Sequence, residues 1–100
     1  MQFMVIAYDG TDKDALARRL AVREAHLKLG KELYAAGKWL YAAGILNEAG
    51  TLIGSMIVCD FPSREELKQQ WLEKEPYITG HVWQKVDIHR VQVAPFAAAK

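Results

Sequence analysis

Two short runs, Phe3–Tyr8 (FMVIAY) and Met56–Cys59 (MIVC), are apolar at consecutive positions. A strand points successive side chains to opposite faces. A short run with no polar face, closed by a turn signal such as Asp9-Gly10, therefore reads as a strand covered on both sides. A chain of 100 residues has room for one domain, so both layers must come from very few elements. No apolar run approaches the roughly 20 residues of a membrane span. Met1 and Gln2 put no basic stretch before the first run, which reads as a strand and not as a signal peptide.

The rest of the chain supplies the other elements. Thr11 with Asp14 three residues on resembles a capping box, and a long helix is expected from there to about Ala36, with Gly37 as its C′ residue. Residues 38–46 (KWLYAAGIL) read as a strand, 47–50 (NEAG) as a turn, and 51–61 (TLIGSMIVCDF) as the hairpin partner. Pro62-Ser63 with Glu66 opens a second helix over about 63–73. Residues 73–80 are expected to be a connecting turn, because Pro76 disfavours helix at Glu75. Residues 81–93 form a last strand, which bounds a single domain at 1–93 and leaves 94–100 (APFAAAK) as a tail. The order βαββαβ predicts an α+β, ferredoxin-like fold: an antiparallel four-stranded sheet with two helices on one face. Two helices cover only one face. The simplest cover for the other is a second copy, so a homodimer packed sheet to sheet is expected, with a higher oligomer left open.

Composition narrows the partners. Apolar residues make up 51% and charged residues 25%, with a net charge of +1. The basic residues are spread along the chain, so no field for nucleic acid or a membrane surface builds up. A single cysteine, Cys59, cannot form an internal disulfide, which suggests a reducing, cytoplasmic setting. The three histidines have no recognisable metal spacing, and no phosphate loop or GxGxxG is present. Neither a metal nor a cofactor is expected.

The first helix holds the functional signal. At roughly 100° per residue, Leu16, Leu20, Leu27 and Tyr34 form one apolar stripe, and Val22, Leu29 and Leu33 form a second. Lys13, Asp14, Glu24, Lys28, Lys31 and Glu32 take the opposite, solvent side. Between the two stripes lie Arg19, Arg23, His26 and Gly30. Both stripes are thus expected to flank a polar row that faces the sheet. Gly30 leaves a gap there, although a helical glycine costs about 1 kcal/mol against alanine, and buried cations need partners or a wet cavity. The row predicts a polar pocket between helix and sheet. The plainer alternatives are arginines that snorkel to water and a histidine bonded to a backbone carbonyl.

Arg23-x-x-His26-Leu27, Ala36-Gly37-Lys38, Ala43-Gly44, Gly54-Ser55 and Glu75-Pro76-Tyr77 followed by Gly80, in this order, resemble the YCII-related (YciI-like) family from the first strand to about Val91. The resemblance implies a ferredoxin-like fold in a dimeric α+β barrel, related to muconolactone isomerase. One branch removes chloride from a chlorinated hydroxyhydroquinone. It also implies an active site that pairs the helix-1 histidine with the aspartate of an Asp-Pro-Tyr motif. His26 matches the first position. Glu75 stands at the second, with the same charge on a side chain one methylene longer. Arg23 matches the arginine three residues before the histidine, and Ser55 the serine after the strand-3 glycine.

A histidine exchanges protons near neutral pH, with an unperturbed pKa of about 6.5. A carboxylate can fix its tautomer, and an arginine fork can hold a carboxylate or an enolate-like oxygen. His26 and Glu75 are therefore the expected catalytic residues, with Arg23, Ser55, Arg19 and Tyr77 as ligand contacts. The chemistry that fits is proton transfer beside a carbonyl, or elimination from a small anionic or phenolic molecule. The alternative is a non-catalytic small-molecule binding or accessory protein on the same fold. Tyr8, Trp39, Trp71, Tyr77 and Trp83 are candidate pocket walls whose default role is core packing. Cys59 reads as a buried structural thiol.

Overall fold

The structure, a computed structural model, describes residues 1–98. In chain order it has β1 (Gln2–Asp9), α1 (Ala15–Ala35), β2 (Trp39–Leu46), β3 (Leu52–Asp60), α2 (Arg64–Gln70), α3 (Pro76–Thr79), β4 (Trp83–Val91) and α4 (Pro95–Ala98), with a 3-10 turn at Leu72–Lys74 before α3. The strands make one antiparallel sheet in the order β2-β3-β1-β4. This is the expected α+β, ferredoxin-like arrangement.

Period-two alternation decides the two faces of the sheet. Phe3, Val5, Ala7 and Asp9 of β1 are buried on the helix side, as are Ser55, Ile57 and Cys59 of β3. They pack with Phe61, Leu67, Trp71, Tyr77, Val82 and Trp83 into the core. On the other face Met4, Ile6, Met56 and Val58 are only half-buried, and Tyr8 is exposed. Within one chain, then, the expectation that β1 and β3 are covered on both sides holds for one side only: two helices cannot cover two faces. The Cys59 thiol donates to the Phe3 carbonyl at 3.6 Å, and burial pushes its pKa up to about 12.

The ends of the elements have local causes. Gly37 follows α1 at φ +75°, as a C′ glycine does. Ser63 caps α2 by accepting from the Glu66 amide at 3.1 Å. The capping box expected at Thr11 does not form: α1 starts at Ala15 with no side-chain cap, and Asp12 instead binds Arg18 at 2.7 Å. Arg18 holds the Asp12 carboxyl down at about 2. The connector expected at 73–80 contains α3. Glu75 is extended, as Pro76 requires, but Pro76 is a good first helical residue and the Glu75 side chain caps the turn from the Tyr77 amide at 3.2 Å. In the expected tail, Pro95–Ala98 form one helical turn, and residues 99 and 100 lie outside the described residues. No helix is long and apolar enough to cross a membrane among the described residues.

Candidate active site

The site begins with what β2 lacks. Ala42 and Gly44 pair with Ile57 and Ser55 of β3, and both are exposed. Side chains this small leave an open cleft beside α1 that continues round the edge of the sheet to Tyr41 and Val58 on the other face, about 1220 Å³ in all. Ser55 and Ile57 form its floor, and His26, Leu27 and Gly30 of α1 form one wall, with Trp39 beside them.

Three of the four residues in the expected polar row of α1 do point inward: Arg19, His26 and Gly30 are buried. Arg23 does not. It is exposed and stands among the residues that line the cleft. The two apolar stripes also behave differently. Val22, Leu29 and Leu33 pack against the core, whereas Leu16, Leu20, Leu27 and Tyr34 are exposed, Leu20 by 56%. The helix therefore buries one flank and leaves the other unpacked, with Leu27 and Tyr34 on the cleft.

His26 and Glu75 meet, although they come from elements 49 residues apart. Nδ1 of His26 lies 2.5 Å from Oε1 of Glu75. The Glu75 side chain is 0% exposed, and its other oxygen accepts from Trp71 Nε1 at 2.7 Å. With the Tyr77 amide on Oε1, three donors fix the carboxylate. The carboxylate selects the Nδ1–H tautomer of His26, an assignment from the hydrogen-bond network. Nε2 is left without a protein partner among the described residues, on a side chain that lines the cleft. Tyr77 stacks on the imidazole with ring centroids 3.9 Å apart. At 1% exposure it supports the ring from behind and is not among the cleft-lining residues. Burial pushes the Tyr77 phenol up, so it stays neutral.

Arg19 is 3% exposed and committed within the protein. Its Nη1 donates to both oxygens of Asp9, at 2.9 and 3.0 Å. Its Nη2 donates to the Gly54 carbonyl at 3.1 Å and to Ser55 Oγ at 2.9 Å. No sequence motif marks Asp9 as a site residue, yet the pattern carries a signal: an inward arginine needs an acid, and Asp9 continues the buried positions 3, 5 and 7 of β1. Trp71 and Trp83, expected only as pocket walls, each use the indole N–H inside the site. Tyr8 lies on the opposite sheet face, and so does His89, which pairs with Met4.

Gly30 keeps the gap open. A Cβ there would come within 2.5 Å of Trp39 Cζ3. Overpacking of this kind costs about 1–3 kcal/mol, against about 1 kcal/mol of regained helix propensity. Gly30→Ala should therefore lower stability in urea denaturation and shift the tryptophan emission. In a Trp39→Phe background, which removes the colliding ring, the same change should be tolerated.

Comparison with known proteins places the chain. The YCII-related domain matches residues 1–92. The chain belongs to the YCII-related family. Among members of this family it is 31% identical over 94 residues to Protein YciI of Escherichia coli O6:H1 (strain CFT073) and to Protein YciI of Shigella flexneri, a match covering 88% of this chain and 93% of theirs. Among solved structures, its fold is shared by 5-chloro-2-hydroxyhydroquinone dehydrochlorinase (TftG) from Burkholderia phenoliruptrix AC1100, in complex with 2,5-dihydroxybenzoquinone. The TM-score is 0.79 at 19% identity, over 96% of this chain and 98% of that one.

Proposed function

We propose that this YCII-related chain is a small cofactor-free enzyme, a lyase or isomerase, that moves a proton on a small anionic or phenolic molecule. The observation that carries the reading is the buried His26–Glu75 pair with Nε2 of the histidine left for the cleft. Nε2 takes a proton from a carbon or hydroxyl beside a carbonyl or enol. Glu75 keeps the proton on Nδ1 and offsets the charge of the imidazolium that forms. Ser55 and the exposed guanidinium of Arg23 hold the oxygen or carboxylate on which negative charge gathers. The same imidazole can return the proton elsewhere on the molecule, giving isomerisation, or let a leaving group depart, giving elimination. TftG, a dehydrochlorinase bound to a flat dihydroxyquinone on the same fold, supports the elimination variant. A thermal-shift screen of small carboxylates and phenols tests the reading. A true ligand stabilises the wild type, and only the wild type turns it over; equal turnover by the wild type and His26→Ala would sink the reading.

The assembly proposed with this function is a homodimer through the half-buried sheet face, where Met4, Ile6, Met56 and Val58 still show apolar surface. Sedimentation velocity at micromolar concentration should give a dimer, and a folded monomer there would defeat the proposal. The buried free thiol of Cys59 suits a reducing, cytoplasmic setting.

A further inference from the structure

Ser55 is 3% exposed on the floor of the cleft. A serine hydroxyl has one proton and two lone pairs. Arg19 Nη2 donates to Oγ at 2.9 Å and Trp83 Nε1 donates to it at 3.3 Å. Both lone pairs are engaged, and no acceptor among the described residues takes the hydroxyl proton. The O–H is left to donate into the cleft, and Oγ cannot receive a third donor. Arg19 in turn has five N–H groups. Nη1 points at Asp9, Nη2 at Gly54 and Ser55, and Nε is buried without a partner. Arg19 therefore borders the cleft with its charge turned to Asp9. Asp9 also cancels the Arg19 charge, so the floor beneath Ser55 carries a neutral pair, while Arg23 and Lys31, the cations of the cleft without an ion-pair partner among the described residues, are exposed.

We infer that Asp9 and Arg19 are a positioning pair that locks Ser55 as a hydrogen-bond donor, so that the ligand seats a phenolate or carbonyl oxygen on Ser55 and turns any carboxylate outward to Arg23. The inference rests on the cleft being the ligand site proposed above. It predicts a preference by chemistry. A delocalised phenolate oxygen suits one donor over a neutral pair, whereas an ammonium or amide N–H finds no acceptor at Ser55.

The probe is 4-nitrophenol at a pH where it is ionised, titrated into the full-length wild type and followed by absorbance, because a hydrogen bond to the phenolate oxygen shifts its band to the blue. The wild type should bind it, with the blue shift, more tightly than 4-nitrobenzylamine. Ser55→Ala should lose the shift and about tenfold in affinity, the worth of one hydrogen bond to a charged acceptor. Asp9→Asn should weaken binding alone but add nothing in the Ser55→Ala background, since both act through one hydroxyl; a merely structural role would leave the two losses additive. Should Asp9→Asn fail to fold, Trp83→Phe frees a lone pair on Oγ without touching the ion pair, and it should shrink the shift. His26→Ala separates this inference from the proton-transfer reading, because it removes the base and keeps Ser55: the band shift persists even if turnover proves independent of His26. No phenolate binding by the wild type, a shift retained in Ser55→Ala, additive losses, or a full shift in Trp83→Phe would each overturn the inference.

Discussion

Glu75→Ala should destabilise the fold by about 3–5 kcal/mol, because it strands several buried donors at about 1–3 kcal/mol each. The substitution removes the acceptor of three donors at once: His26 Nδ1, Trp71 Nε1 and the Tyr77 amide. It also removes the cap of α3, for which about 1 kcal/mol is typical. Two of the donors belong to fully buried residues, Trp71 and Tyr77, so water has little access to replace the carboxylate. Glu75→Asp should cost less. Aspartate is a good cap, but its shorter reach cannot hold the imidazole and the Trp71 indole together in the present geometry. Urea denaturation of the three proteins decides the matter. A loss below 1 kcal/mol for Glu75→Ala would mean that the carboxylate is solvated and is not the anchor described above.

His26→Ala should behave in the opposite way, with a small effect on stability and a large one on chemistry. Glu75 keeps the Trp71 and Tyr77 donors when the imidazole is gone, and the side chain lost already faces an open cleft. The stability cost is about 1 kcal/mol, the net worth of one hydrogen bond, since Glu75 Oε1 keeps the Tyr77 amide. Turnover of an enol or phenol substrate found by the ligand screen should fall by about 10²–10⁴-fold, the usual contribution of a positioned general base. Added imidazole should restore part of it, because the vacated space lies against Tyr77 and opens to solvent. Unchanged turnover in His26→Ala, with a lowered melting temperature, would make the dyad core architecture and leave catalysis without a base.

Local pattern alone determined the element order and the inward position of His26. Strand and helix periodicity are properties of neighbouring residues, and the βαββαβ sequence has few compact solutions. The same pattern placed Arg19 and Gly30 toward the sheet, and the family's motifs named Glu75 as the partner of His26. Three things depended on the packed molecule. Which apolar stripe of α1 is buried was decided by the small residues Ala42 and Gly44 on β2: the helix wheel treats both flanks alike, and only the sheet tells them apart. The role of Arg19 was decided by Asp9, ten residues earlier, whose acid the fold brings under the helix to take the charge away from the cleft. And the α3 turn, four residues long, is too short to show a period; it exists because Glu75 caps it, and the Glu75 carboxylate is held there by His26 and Trp71. Each of these is a contact between distant segments, and in a core packed to near-crystal density such contacts choose among placements that local sequence leaves equal in energy.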